Sequence, residues 1–131
     1  MPDVNWLAVL AAAISAFLLG GLWYSPALFG KAWQRGAGLT DEQLKGGNPA
    51  KIYGGSFVLS LVAAATFAMF LGKLPVGTAT AYGFCAGLTW VAASFGINYL
   101  FERRPASLWL VNGGYHTLQF TLYGLILGLW H

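Results

Sequence analysis

The chain has 131 residues, of which 57% are hydrophobic and only 8% charged, with a formal net charge of +3. Soluble domains average about 25% charged residues, so a water-soluble globule is excluded and an integral membrane protein is indicated. Seven Lys and Arg are too few to hold a nucleic acid, and the lone Cys85 forms no intrachain disulfide and no thiolate metal cluster.

The first predicted span covers about residues 5–24. Its first charge is Asp3 and its apolar run is long enough to cross a bilayer. It therefore reads as a retained helix rather than a signal peptide. Ala8, Ala12, Ser15 and Gly20 give it a surface smooth enough for close packing. Trp23-Tyr24-Ser25-Pro26 ends it, because proline disfavours helix at the residue before it. A short amphipathic helix is predicted over residues 26–35. Leu28, Phe29, Ala32 and Trp33 fall on one side and Lys31, Gln34 and Arg35 on the other, the pattern of a helix lying in the membrane interface. Trp23, Tyr24, Ser25, Pro26 and Trp33 read together as an interfacial anchor. Thr40-Asp41-Glu42-Gln43 is a capping-box pattern on a turn that Gly46-Gly47 stops. Asn48-Pro49 then looks like the cap and first residue of the next helix.

The second span is predicted over residues 49–71 and the third over 76–101, joined by Gly72-Lys73-Leu74-Pro75. Thr80, Gly83, Gly87, Ser94 and Asn98 share one face of an ideal third helix, bordered by Trp90. Glu102-Arg103-Arg104-Pro105 turns the chain into a fourth span over 105–130, with Pro105 fit for its first residue. The expected fold is a single all-α transmembrane domain: a four-transmembrane-helix bundle with a short interfacial amphipathic helix after the first span. Six of the seven basic residues, Lys31, Arg35, Lys45, Lys51, Arg103 and Arg104, fall on one side, and only Lys73 on the other. Positive loops stay in the cytoplasm. Loops 25–51 and 102–107 are thus expected inside and both termini outside, in a multi-pass protein of a bacterial inner membrane.

The fourth span carries no charge from Leu108 to Trp130. Asn112, His116, Gln119 and Tyr123 follow at steps of four, three and four, which puts them on one helical face. They form a candidate intramembrane polar site. One reading is structural, in which these groups bond across helices and fix the packing. The other is a solute, proton or cofactor site, since ionisable groups within a membrane are functional candidates by default. Folding the third and fourth spans as a hairpin about Arg104 and Pro105 brings Asn112 near Ser94 or Asn98, and His116 near Trp90 or Ser94. Ser94, Asn98, Glu102, Arg103 and Arg104 then make a candidate cytoplasmic vestibule, or else an ion-paired interfacial turn. Gly83 with Gly87, and Gly124 with Gly128, are small-xxx-small stripes for helix contact within the chain or between chains.

Enzyme chemistry has little support: no carboxylate lies within a span, and there is neither a phosphate loop nor a metalloprotease helix. A single intramembrane histidine leaves a metal site short of about four ligands. No metal and no cofactor are expected. The partners expected are the lipid bilayer and further copies of the chain, as a dimer or small ring, and no nucleic acid.

Residues 21–33, GLWYSPALFGKAW, together with Ile97 to Pro105, INYLFERRP, and Val111 to His116, VNGGYH, resemble the opening and closing signatures of the domain of unknown function 1761 family. The resemblance implies a small four-helix membrane protein and no settled activity. The function expected is a homo-oligomeric transport-like or solute-binding protein built around the polar seam. The alternative is a structural or accessory membrane protein without a ligand. A small multidrug pump has a similar size, but it needs a membrane-embedded carboxylate that this chain lacks.

Overall fold

The computed structural model describes residues 4–131. Its helices are α1 (Trp6–Trp23), α2 (Gly30–Ala37), α3 (Asp41–Lys45), α4 (Pro49–Leu71), α5 (Val76–Cys85), a π-helical segment (Ala86–Ala92), α6 (Ala93–Glu102) and α7 (Ala106–Leu129). The segments from Val76 to Glu102 run on as one rod. Among the described residues there is no strand.

Local chemistry sets the ends. Asn5 Oδ1 accepts from the amides of Leu7 and Ala8 and starts α1. Thr40 and Gln43 close the expected capping box on α3, and Asn48 caps α4 with Pro49 in its first turn. Arg103, at φ 58°, ends α6 in a left-handed turn in which the Arg104 amide reaches back to the Tyr99 carbonyl. Two boundaries differ from the sequence expectation. Pro105 is the cap of α7 rather than its first residue. The expected helix over 26–35 is instead a turn followed by α2, which starts at Gly30. The amides of Leu28 and Gly30 both donate to the Ser25 carbonyl, and that of Phe29 donates to the Trp23 carbonyl. The turn therefore wraps back onto the end of α1. Gly30 lies so close to the carbonyls of Tyr24 and Ser25 that a Cβ there would collide with both.

Three helices are long and apolar enough to cross a membrane: α1, α4 and the rod Val76–Glu102. This is the make-up of a multi-pass membrane protein. α7 stands apart from them. It has 24 residues and is about 36 Å long at the usual rise, but Asn112, His116 and Gln119 dilute its hydropathy. It is also the helix that the others surround. It packs along α5 and the π segment, along α1 and against α2, and touches α4 more lightly. The core joins Ala8, Ala12 and Ala16 of α1 to Ala64 and Phe67 of α4, Ala79 of α5, and Tyr123 and Leu127 of α7. Leu18, Leu59, Phe70, Leu100, Phe101 and Leu110 turn outward, as a surface solvated by lipid requires.

The start of α1 and the end of α7 meet at one end of the bundle, where the Asn5 side-chain amide reaches the Trp130 carbonyl at 3.4 Å. At the other end Gly36 of α2 lies against Leu108, and Arg104 reaches the Ala37 carbonyl at 3.5 Å. The second end carries Arg35, Arg103 and Arg104 and is called the basic end below.

Candidate functional site

The position of α7 is set by glycine. A Cβ on Gly83 would collide with the Phe120 carbonyl, and one on Gly124 with the Ala79 carbonyl. On Gly87 it would stand 2.8 Å from the His116 carbonyl oxygen, and on Gly128 2.8 Å from the Val76 Cα. Both small-residue stripes are therefore used within the chain, and they close the third rod onto α7 backbone to backbone.

This contact presents the polar face of α7 to its other neighbours. The four expected seam residues form two separate networks. In the deeper one, Tyr123 donates to the Ser60 carbonyl at 3.3 Å and shares a 2.5 Å contact with Ser60 Oγ. With its proton committed to Ser60, the Tyr123 oxygen accepts from Gln119 Nε2 at 2.7 Å. Gln119 Oε1 is then the acceptor for His116 Nδ1 at 2.6 Å. The network thus assigns the imidazole proton to Nδ1 and leaves Nε2 with a lone pair. Nε2 has no hydrogen-bond partner among the described residues and is not buried. Burial deepens along the chain of bonds: His116 is half-buried, Gln119 is 7% exposed and Tyr123 is 0% exposed.

The second network is built on Asn112. Its Oδ1 accepts from the Tyr24 hydroxyl at 2.6 Å, and its Nδ2 donates to the Tyr99 hydroxyl at 2.7 Å. One amide thus joins the end of α1, α6 and α7. Nearby, Trp23 Nε1 donates to the Val111 carbonyl at 2.8 Å, and the Tyr115 hydroxyl donates to the Ala16 carbonyl at 2.9 Å. Trp23 and Tyr24 are half-buried against α7. Pro26 is exposed, and the Ser25 hydroxyl closes the turn onto the Leu22 carbonyl at 2.7 Å. Trp33 meets Tyr24 edge to face at 5.9 Å.

The expected vestibule residues do not gather on this seam. Ser94 and Asn98 are exposed and line a surface groove of about 390 Å³ with Trp90, Val91 and Phe95. The Ser94 hydroxyl turns back to the Trp90 carbonyl at 2.6 Å. Phe95 and Tyr99, one residue further on, face α7 in their place: Phe95 stacks on His116 and Tyr99 bonds Asn112. The π segment is the reason. Its i to i+5 bonding takes up an extra residue per turn, so the face that begins at Gly83 and Gly87 continues one position later than an α-helix would carry it. Glu102 pairs with Arg104 at 3.8 Å, both partly exposed, and Arg103 is exposed in the turn.

Around these networks runs a closed circuit of side chains. Tyr24 packs on Tyr115 at 5.4 Å, Tyr115 on His116 at 5.0 Å, His116 on Phe95 at 4.9 Å and Phe95 on Tyr99 at 5.7 Å. Asn112 closes it between the hydroxyls of Tyr99 and Tyr24. Phe95, Tyr115 and Ser60 carry no signal in an ideal helical reading. Tyr24 and Tyr99 do: both lie near the helix ends that flank Asn112. A second groove, of about 310 Å³, is lined by apolar side chains such as Phe84, Leu88, Trp109 and Leu118 on another side of α7. Among the described residues no three His, Cys, Asp or Glu side chains gather as a metal site would need.

Fold and seam together define a helical multi-pass membrane protein whose central helix is polar on one face. The family model described as "Protein of unknown function (DUF1761)" matches residues 7–128, and the chain belongs to that family. No curated protein and no solved structure matches it.

Proposed function

We propose that the protein is a four-span transport-like or solute-binding membrane protein that takes a small polar solute on the seam of α7. α7 serves as the fourth span: its polar groups are tolerated because neighbouring helices shield them and supply their partners. The basic end faces the cytoplasm of a bacterial inner membrane and both termini face outward. The observation that carries the reading is the line from His116 through Gln119 and Tyr123 to Ser60. It passes from a half-buried imidazole with a free nitrogen to a sealed core. Such a gradient gives a solute an entrance and a stop. α4 supports an entrance on the same side: from residue 50 to residue 59 only Phe57 is even partly buried, and α4 scarcely meets the third rod. That open flank is also the surface on which a second copy would pack, since the glycine stripes are already used inside the chain.

A flux assay in liposomes on the parent chain and His116→Gln tests this. Gln keeps hydrogen-bonding capacity and removes the imidazole. A folded variant with lost or altered uptake supports the reading; parental behaviour with every solute that the parent moves counts against it.

A structural or accessory role is the second reading. It is favoured by a specific observation: among the described residues no buried side-chain nitrogen or oxygen lacks a partner. On that reading the two networks tie α7 to α1, α4 and α6 and do nothing else.

A further inference from the structure

We infer that the aromatic circuit around Asn112 and His116 is a binding site for a protonated organic amine. The inference rests on the solute-binding reading above and names the class of solute. Four aromatic rings and one imidazole stand in continuous contact from Tyr24 through Tyr115, His116 and Phe95 to Tyr99. All five are half-buried, so each retains contact area for a guest. Aromatic faces carry negative potential and attract cations, more strongly where water is thin.

Most polar atoms of the circuit present lone pairs; the donors left over are the Tyr99 hydroxyl, which accepts from Asn112, and the second Asn112 N–H. Asn112 Oδ1, the phenol oxygens and His116 Nε2 all carry lone pairs. The Asn112 amide spends a proton on Tyr99, and Tyr24 and Tyr115 spend theirs on Asn112 and the Ala16 carbonyl. His116 spends its proton on Gln119. The circuit is thus rich in acceptors and ring faces. None of its members is a Lys or Arg, which supplies no internal cation to satisfy them. A guest bearing N–H donors and positive charge completes both sets at once: an ammonium donates to Nε2, and its charge is attracted by the rings in contact with the imidazole, Phe95 and Tyr115. An anion would find only the Tyr99 hydroxyl and one Asn112 N–H as donors and would be repelled by the ring faces and the Nε2 lone pair, and a purely apolar guest would leave Nε2 unpaired. The guest's remaining bulk should be apolar or aromatic, because Phe95 also borders the groove formed with Trp90, Val91 and Ser94.

The test uses the full chain in mild detergent and calorimetric titration with two probes of one shape. 2-Phenylethylamine is charged at pH 7, and 2-phenylethanol is neutral. Saturable binding of the amine, about tenfold tighter than the alcohol, is the expected result. Phe95→Leu should weaken the amine about tenfold and the alcohol little, because it removes a ring and keeps apolar bulk. Equal affinity for amine and alcohol overturns the charge inference while leaving the solute-binding reading in place. Absence of saturable binding for the amine overturns the inference too, and the liposome assay then judges the solute-binding reading on its own. The comparison of probes on the parent chain stands even if Phe95→Leu fails to fold.

Discussion

The Tyr24 hydroxyl donates to Asn112 Oδ1 at 2.6 Å across 88 positions of sequence. The same amide donates to Tyr99, so one side chain fixes the meeting point of three helices at the basic end. Interhelical hydrogen bonds in membranes average about 0.6 kcal/mol and reach about 1.7. Tyr24→Phe keeps the ring contacts with Trp33 and Tyr115 and removes only the bond. It should lower unfolding stability in detergent by about 1 kcal/mol. Tyr53→Phe is the control, since Tyr53 is exposed and makes no side-chain hydrogen bond; its stability should not change. A Tyr24→Phe protein as stable as the parent would show that the Asn112 junction does not hold the helices.

The glycines divide into two groups by what surrounds them. Gly83 stands on the Phe120 backbone, while Gly54 and Gly55 on α4 have nothing within 4 Å. Gly83→Leu should separate the third rod from α7, at about 3 kcal/mol or more, because backbone cannot move aside as a side chain can. Gly54→Ala should be neutral or stabilising by up to about 1 kcal/mol, since alanine is the better helix former. Thermal unfolding of both variants in one detergent gives the comparison. Tolerance of Gly83→Leu would mean that the hairpin does not pack this way.

Sidedness can be read by chemistry. In a Cys85→Ala background, a cysteine at Gly47 should react only with reagent on the cytoplasmic face, and one at Val76 only with reagent outside. Gly47 precedes α4 and Val76 starts α5, so the two lie at opposite ends of α4. Reaction of both from a single side would remove α4 as a span.

Helix existence and the caps at Thr40 and Asn48 were legible in the sequence, because apolar length and cap chemistry are local. So was the hairpin of the third and fourth long helices, from the tight turn at Arg104 and Pro105, whereas the glycine stripes alone left contact within the chain and contact between chains both open. The partners of the polar seam were only partly legible. An ideal helix puts Ser94 and Asn98 beside Gly83 and Gly87, and the π segment between them rotates that face by one residue onto Phe95 and Tyr99. Nothing in AGLTWVA announces π bonding. Tyr24 and Trp23 read as interfacial anchors because aromatics near a helix end usually are, but their polar atoms turn inward onto α7. The role of Ser60 depends on the crossing of α4 over α7, which no local pattern encodes.

The burial gradient along α7 gives the last prediction. Asn112 and His116 are half-buried, whereas Gln119 and Tyr123 are sealed, with Tyr123 bonded to Ser60 of α4. If a polar solute enters from the basic end, water must reach the first two positions and stop before the last two. Single cysteines at 112, 116, 119 and 123, in the Cys85→Ala background, report this through their reaction with a small water-soluble thiol reagent, because only a hydrated thiol ionises and reacts readily. The expected order of rates is 112 and 116 fast, 119 slow, and 123 slower by at least about tenfold, with protection against reagent added from the side of the termini. The order separates the two functional readings without knowledge of the natural solute. A structural seam packed against lipid predicts uniformly slow reaction at all four positions, and a water-filled path through the protein predicts uniformly fast reaction from both sides. Fast reaction at 123 with slow reaction at 112 would place the entrance at the wrong end and remove the proposed route.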